Sequence, residues 1–301
     1  VATYSILADL VKAVGGERVS LTTLVGPGGD AHTYEPTPQD NVALAETDLV
    51  FENGLEFETW LDDLYTASAS QATRVVVSEG ITALPAPEEH GHDEHSEGEA
   101  KEGEYKSEGT PEAKEAHSED EHGEFDPHVW HDPNNAMIMV ERIRDALIAA
   151  DAAGADTYRA NAEAYLTQLK ELDAFIQQEI GQLPAERRKL VTTHDTFGYF
   201  AQRYNFEIVG TALGSMSTEA ADPAGGEMAE LIGEIKASGV PAIFAENIAN
   251  TDLMETIARD AGVQLAPTLF TDALGEAGSP GDTYLNMVRY NVTTIVTALK
   301  G

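Results

Sequence analysis

Between Tyr158 and Leu183 one apolar face repeats without interruption. Tyr158, Ala162, Tyr165, Leu169, Leu172, Ile176, Ile180 and Leu183 recur at spacings of three and four, the period of a helix with a single buried stripe. Pro184 ends the pattern, because its ring removes a backbone donor and clashes with the preceding turn. About thirty residues of helix would run ~45 Å, longer than a small domain is wide. The stretch therefore reads as a strut between two halves.

Strand-like and helix-like runs alternate on both sides of the strut. Before it, residues 1–5, 19–25, 49–51 and 74–77 read as strands and 37–45 and 56–67 as helices. Thr37-Pro38 and Asp132-Pro133 each pair a capping side chain with proline at the first helical position; the second opens the apolar run 137–148. After it, 189–193, 207–210, 241–245 and 264–269 read as strands, and 196–204, 224–237, 251–261 and 283–299 as helices. This rhythm predicts an α/β protein: two lobes with parallel β-sheets flanked by helices, joined by one long rigid helix. The expected division is an N-terminal lobe over 1–150, a linking helix over 151–183 and a C-terminal lobe over 184–301.

Charge narrows the partners. Asp and Glu number 53 against 18 Lys and Arg, a formal net charge of −35. That field repels nucleic acid and anionic membranes and attracts cations. Cysteine is absent, which excludes thiol catalysis, thiolate metal sites and disulfides. No apolar run approaches the ~20 residues that span a bilayer, so membrane insertion is not expected. The chain opens at Val1 inside a strand-like run with no initiator Met, as expected of a chain whose leader has been removed. Residues 88–124 hold 15 acidic residues and three lysines, a net −12 that leaves −23 on the remainder. So polar a segment reads as a loop that buries no core. It contains His90, His92, His95, His117 and His122. A solvated acidic insertion and a weak metal-collecting tract are both open readings; clustered imidazoles and carboxylates favour the second.

Only His32, His128, His131 and His194 lie outside that segment. His32 follows the strand-like run 19–25 through a glycine-rich loop, and His194 directly follows 189–193. Asp272 stands just beyond 264–269. In open α/β sheets ligands gather past the carboxyl ends of strands, and these three come from both halves. Taken singly, each is equally readable as a cap or turn residue; His128 and His131 could be turn residues around a buried Trp130.

The motifs around these residues carry a resemblance. Gly29-Asp-Ala-His-Thr-Tyr-Glu-Pro-Thr-Pro38, Asp126-Pro-His-Val-Trp130, Thr193-His-Asp-Thr-Phe-Gly-Tyr-Phe200 and Leu269-Phe-Thr-Asp-Ala-Leu-Gly275 resemble, in order, the four ligand motifs of the cluster A-I metal receptors of bacterial ABC importers. The likeness extends from Ala2 to the last helix and omits only the acidic segment. It implies metal ligands at His32, His128, His194 and Asp272, an ion held between two lobes, and a non-enzymatic receptor. It also implies ABC permease subunits as partners and a location in the periplasm or on the outer face of the cytoplasmic membrane. A monomer is expected.

The resemblance further implies zinc. An acidic, His-rich loop between the first two ligand motifs typifies zinc members, whereas manganese receptors tend to carry a carboxylate where His194 stands. Three imidazoles and one carboxylate form a four-ligand shell suited to Zn²⁺, and added carboxylate would suit Mn²⁺. A manganese or iron receptor is the alternative. Glu246, at the end of a strand on the same edge, is an accessory candidate that would orient an imidazole or set the cleft charge. His131 is a weaker accessory, and a surface histidine is the favoured reading. A zinc hydrolase built on His128, His131 and a carboxylate is disfavoured, because no His-Glu-x-x-His helix or nucleophile motif is present. An extracellular adhesin or metal buffer is the remaining rival.

Overall fold

The computed structural model describes residues 1–86, 123–220 and 223–301. The N-terminal lobe is built on a four-stranded parallel sheet of β1 (Ala2–Tyr4), β2 (Thr23–Val25), β3 (Leu49–Glu52) and β4 (Thr73–Val76), in the order β2-β1-β3-β4. The crossovers are α1 (Ser5–Gly15), α2 (Pro38–Ala45) and α3 (Leu61–Ala67). Two further helices follow, α4 (Pro133–Ala150) and α5 (Ala155–Ile180). In the C-terminal lobe β5 (Lys189–Thr192) pairs with β6 (Glu207–Thr211), and β7 (Ala242–Glu246) with β8 (Gln264–Leu269), both parallel. β5 lies beside β7. Helices α6 (Gly198–Tyr204), α7 (Gly225–Ser238), α8 (Asp252–Ala261) and α9 (Tyr284–Lys300) connect and cover the strands.

The strut is α5, 26 residues and about 39 Å long. Its stripe is buried from Tyr158 to Ile180 and packs on α1 and α4 of one lobe and on α9 of the other. One apolar cluster consequently runs through both lobes, from Ala2 and Leu10 through Leu172 to Leu299. Smaller clusters lie on the other side of each sheet, around Val50 and Leu61 in one lobe and Ile243 and Ile257 in the other.

Several elements are shorter than the sequence suggests. β2 starts at Thr23 because Thr23 faces Ala2, so residues 19–22 lie past the end of β1. α3 starts at Leu61 because Leu55 and Glu56 take left-handed backbone conformations (φ 55° and 60°). The Glu58 carboxylate then accepts from the Asn53 and Gly54 amides, which holds this stretch as a loop. α1 starts at Ser5 and buries Ile6, Leu7, Leu10, Val11 and Val14; the sequence reading placed no helix there.

Leu172 is fully buried in the shared cluster. Leu172→Ala is expected to destabilise the metal-free protein by about 2–5 kcal/mol, the usual range for a core leucine, measured by denaturant unfolding in chelator.

Candidate metal centre

Four side chains from four segments converge at the carboxyl edges of the sheets. His32 ends the loop after β2, where Gly28 has φ 69° and its amide donates to the Leu274 carbonyl of the other lobe. The Asp30 carboxylate accepts from the His32 amide at 2.9 Å, and the His32 ring meets Phe57 edge-on at 4.8 Å. His128 precedes a short helical turn, Val129–His131. Asp126 accepts from both the His128 amide (2.9 Å) and its ring Nδ1 (2.8 Å). A proton held on Nδ1 leaves the Nε2 lone pair facing the centre. Asp126 is itself placed by the Tyr199 hydroxyl of α6, which donates to the Asp126 carbonyl.

His194 and Asp272 complete the group from the second lobe. Glu246, fully buried at the end of β7, accepts from the Thr193 and His194 amides through Oε1 and from the Thr271 hydroxyl through Oε2. Its Oε2 also lies 2.5 Å from His194 Nδ1, a charge contact whose angle falls outside hydrogen-bond geometry. The Thr196 hydroxyl donates to Asp272 Oδ1 at 3.1 Å. Asp272 Oδ2 instead faces His194 Nε2 (3.0 Å), His32 Nε2 (3.3 Å) and His128 Nε2 (3.7 Å).

These spacings match a metal shell. One donor atom from each of His32, His128, His194 and Asp272 lies within 4.8 Å of all the others, and His32 and His128 present Nε2 to Nε2 at 3.3 Å. Ligands about 2.0–2.1 Å from a tetrahedral ion stand about 3.3–3.4 Å apart. All four residues are buried. Asp272 Oδ2 and His194 Nε2 have no hydrogen-bond partner there, an expensive arrangement for buried polar atoms unless a cation is what they address. The set could hold one divalent ion.

The charges in the centre set the protonation. Burial opposes charge on His194, yet the carboxylates of Glu246 and Asp272 outweigh it and hold its pKa well above the ordinary imidazole value. Burial likewise opposes ionisation of Asp272, but His194 and His128 carry its pKa well below the usual carboxylate range. For His32 burial dominates and the pKa falls despite Asp272.

The accessory residues resolve differently. Glu246 ends β7 at the same sheet edge, with its carboxylate against the His194 ring. His131 is not a surface residue: it is 4% exposed, its ring lies 4.6 Å from that of Phe197 at a tilt of 37°, and its Nε2 is bonded to the Thr196 hydroxyl at 3.1 Å. The short turn after His128 swings it inward, and burial pushes its pKa down to about 3, so it is neutral. Asp126, Thr196 and Thr271 were not singled out in sequence. Asp126, two residues before a histidine and followed by proline, carried a usable signal for a local carboxylate–amide turn; Thr196 and Thr271 carried none. His90, His92, His95, His117 and His122 lie outside the described residues.

A buried cage of three histidines and one aspartate, closed between two α/β lobes on a rigid helix, defines a metal-binding receptor. Comparison with known proteins makes the class specific. The family described as "ZnuA: Zinc-uptake complex component A periplasmic" matches residues 1–298. The manganese-binding lipoprotein MntA of Halalkalibacterium halodurans is 35% identical over 299 residues, covering 99% of this chain and 87% of that protein. The iron-binding protein YfeA of Yersinia pestis is 30% identical, covering 98% of this chain and 84% of that protein. The solved periplasmic zinc-binding protein TroA of Treponema pallidum superimposes with a TM-score of 0.80 at 32% identity, covering 99% of this chain and 97% of that one. The chain belongs to the ZnuA family of metal-binding receptors for ABC importers, which act outside the cytoplasmic membrane and are not enzymes. No helix among the described residues is long and apolar enough to cross a membrane.

A raised His194 pKa makes metal binding a proton exchange. The carboxylates beside His194 favour a proton on it in the free site; a coordinating imidazole could not keep that proton, so loading at this candidate site is expected to release about one proton. Affinity should fall as pH drops and level off only above the raised pKa. Calorimetry in buffers of different ionisation enthalpy at pH 7 should count that proton.

Proposed function

We propose that this receptor captures Zn²⁺ through His32, His128, His194 and Asp272 and hands it, as a monomer, to the membrane permease of an ABC importer. The observation that supports zinc is the donor set: three imidazole nitrogens and one carboxylate oxygen within 4.8 Å. Zn²⁺ accepts four mixed nitrogen and oxygen ligands without preferring six; Mn²⁺ and Fe²⁺ favour more oxygen and higher coordination. A full protein shell also leaves no position for an activated water, which suits capture rather than hydrolysis. The zinc-binding name of TroA agrees with this reading. The manganese-binding name of MntA supports a second reading, in which the same cage carries Mn²⁺.

Burial tightens capture. Carboxylate and imidazoles meet the ion in a water-excluded site, where attraction is far stronger than at the surface. A nanomolar dissociation constant would correspond to about −12 kcal/mol. Competitive titration against a chromophoric chelator should give tighter binding for Zn²⁺ than for Mn²⁺, and His194→Ala should lose at least about a hundredfold in zinc affinity, more than the loss of an outer partner costs. Unchanged affinity in His194→Ala would refute the ligand set, and a preference for Mn²⁺ would establish the second reading.

The acidic segment has a secondary role in this proposal. Deleting residues 88–124 is expected to lower the number of zinc ions bound per chain while the tight site keeps its affinity, as counted by equilibrium dialysis. Loss of the tight site would show that the segment supplies primary ligands.

A further inference from the structure

The two oxygens of Asp272 are treated unequally. Oδ2 is buried among three ring nitrogens at 3.0, 3.3 and 3.7 Å and has no hydrogen-bond partner. Oδ1 accepts the Thr196 hydroxyl at 3.1 Å. That hydroxyl is in turn held by His131, whose Nε2 lies 3.1 Å from Thr196 Oγ1. Both supports are enclosed: Thr196 is 0% and His131 4% exposed. A hydroxyl has one proton. With His131 donating into the Thr196 oxygen, that proton goes to Asp272 Oδ1, so the order of donors is fixed.

The backbone beneath Asp272 is equally constrained. The Trp130 indole donates to the Thr271 carbonyl at 3.0 Å, and the Thr271 amide donates to Asn247 Oδ1 at 3.1 Å. With the backbone pinned and one oxygen engaged, the remaining freedom is rotation of the carboxylate about its own axis. Such a rotation would bring both oxygens to the centre.

We propose that Thr196, backed by His131, is a specificity-determining residue: by engaging Oδ1 it restricts Asp272 to a single coordinating oxygen and keeps the cage four-coordinate. Four mixed nitrogen and oxygen ligands suit Zn²⁺, whereas an added carboxylate oxygen raises the coordination number and shifts the site toward Mn²⁺. Thr196 acts through Asp272 and touches no metal. The inference rests on the zinc reading and the ligand set above, but its test reads a change in preference, which has meaning whichever ion the unaltered protein prefers.

The test compares Thr196→Val, which keeps the shape and removes the hydroxyl, with Thr196→Ser, which keeps the hydroxyl. Zn²⁺ and Mn²⁺ affinities are measured by competition, and Co²⁺ is loaded as a spectroscopic probe of coordination number. Thr196→Val should narrow the zinc-over-manganese ratio by about tenfold or more, within the range for outer partners of metal ligands. Its Co²⁺ visible bands should weaken, as they do when a tetrahedral site becomes five-coordinate. Thr196→Ser should retain both the ratio and the bands. Equal loss for both metals, or an unchanged ratio with unchanged Co²⁺ bands, would overturn the proposal. Should Thr196→Val fail a thermal-unfolding check, Thr196→Ala replaces it under the same criteria. A manganese-preferring parent whose ratio still moves further toward Mn²⁺ would refute the zinc reading and leave the role of Thr196 standing.

Discussion

Negative charge buried without an adequate counter-charge organises this molecule. Asp272, Glu246 and Asp126 are all withdrawn from water within one small region, and burying an isolated carboxylate is costly enough that it must be paired. Among the described residues, the basic groups within ion-pair distance of them are imidazoles, and burial keeps the nearby His131 neutral. Protonation of His194 answers part of the imbalance. A divalent ion would answer more of it, because it would meet Asp272 and three imidazoles at once, with Glu246 and Asp126 lying against the far nitrogens of His194 and His128. The two outer carboxylates thus fix ring orientation and strengthen the donors. Removing their partners would leave charges with nowhere to go.

That arrangement is affordable only on a scaffold that cannot relax around it. The strands end, and the candidate ligands begin, at the same level: His32 after β2, His194 after β5, Asp272 after β8. Contacts between the lobes reinforce the level. The Trp130 indole reaches the Thr271 carbonyl, the Tyr284 hydroxyl reaches the Trp130 carbonyl, and the Leu274 amide reaches Ser5 Oγ. Below them α5 carries one buried stripe against helices of both lobes. Packing this dense leaves the candidate ligands little room to shift.

Much of this was legible in the chain. The strut was marked by spacing and proline; His32, His194 and Asp272 stood out at strand ends, and the resemblance of the four motifs to the receptor family supplied His128 and set His131 aside. What was not legible depended on long-range partners. Glu56 opens a run, 56–67, that reads as helical, and only its left-handed backbone and the reach of Glu58 to the Asn53 and Gly54 amides show why the helix starts later. His131 stands between Trp130 and Asp132 in sequence, and its burial depends on Phe197 and Thr196, more than sixty residues away, which pack against its ring. Thr196 looks like an ordinary residue at a helix start until Asp272 is seen beside it. The helix α1 is the exception: Ile6, Leu7, Leu10, Val11 and Val14 carry a readable helical stripe, and the strand-like opening of the chain obscured it.

The cage divides evenly between the lobes, and the division bears on release. His32 and His128 belong to one lobe and His194 and Asp272 to the other, with the lobes also joined across the cleft by the Thr218 hydroxyl donating to Asp30 at 2.5 Å. Asp30 is the residue whose other oxygen holds the His32 amide, so the same carboxylate closes the cleft and shapes a ligand loop. Coordination bonds tolerate only about 0.2 Å of displacement. A shift of one lobe by an ångström would therefore split the four candidate ligands into two pairs, and neither pair alone would make a closed site. Affinity then becomes a steep function of lobe separation while each lobe stays folded. In such a site a slight opening of the two lobes would lower affinity without unfolding either one, and His194 would take its proton back as the ion left.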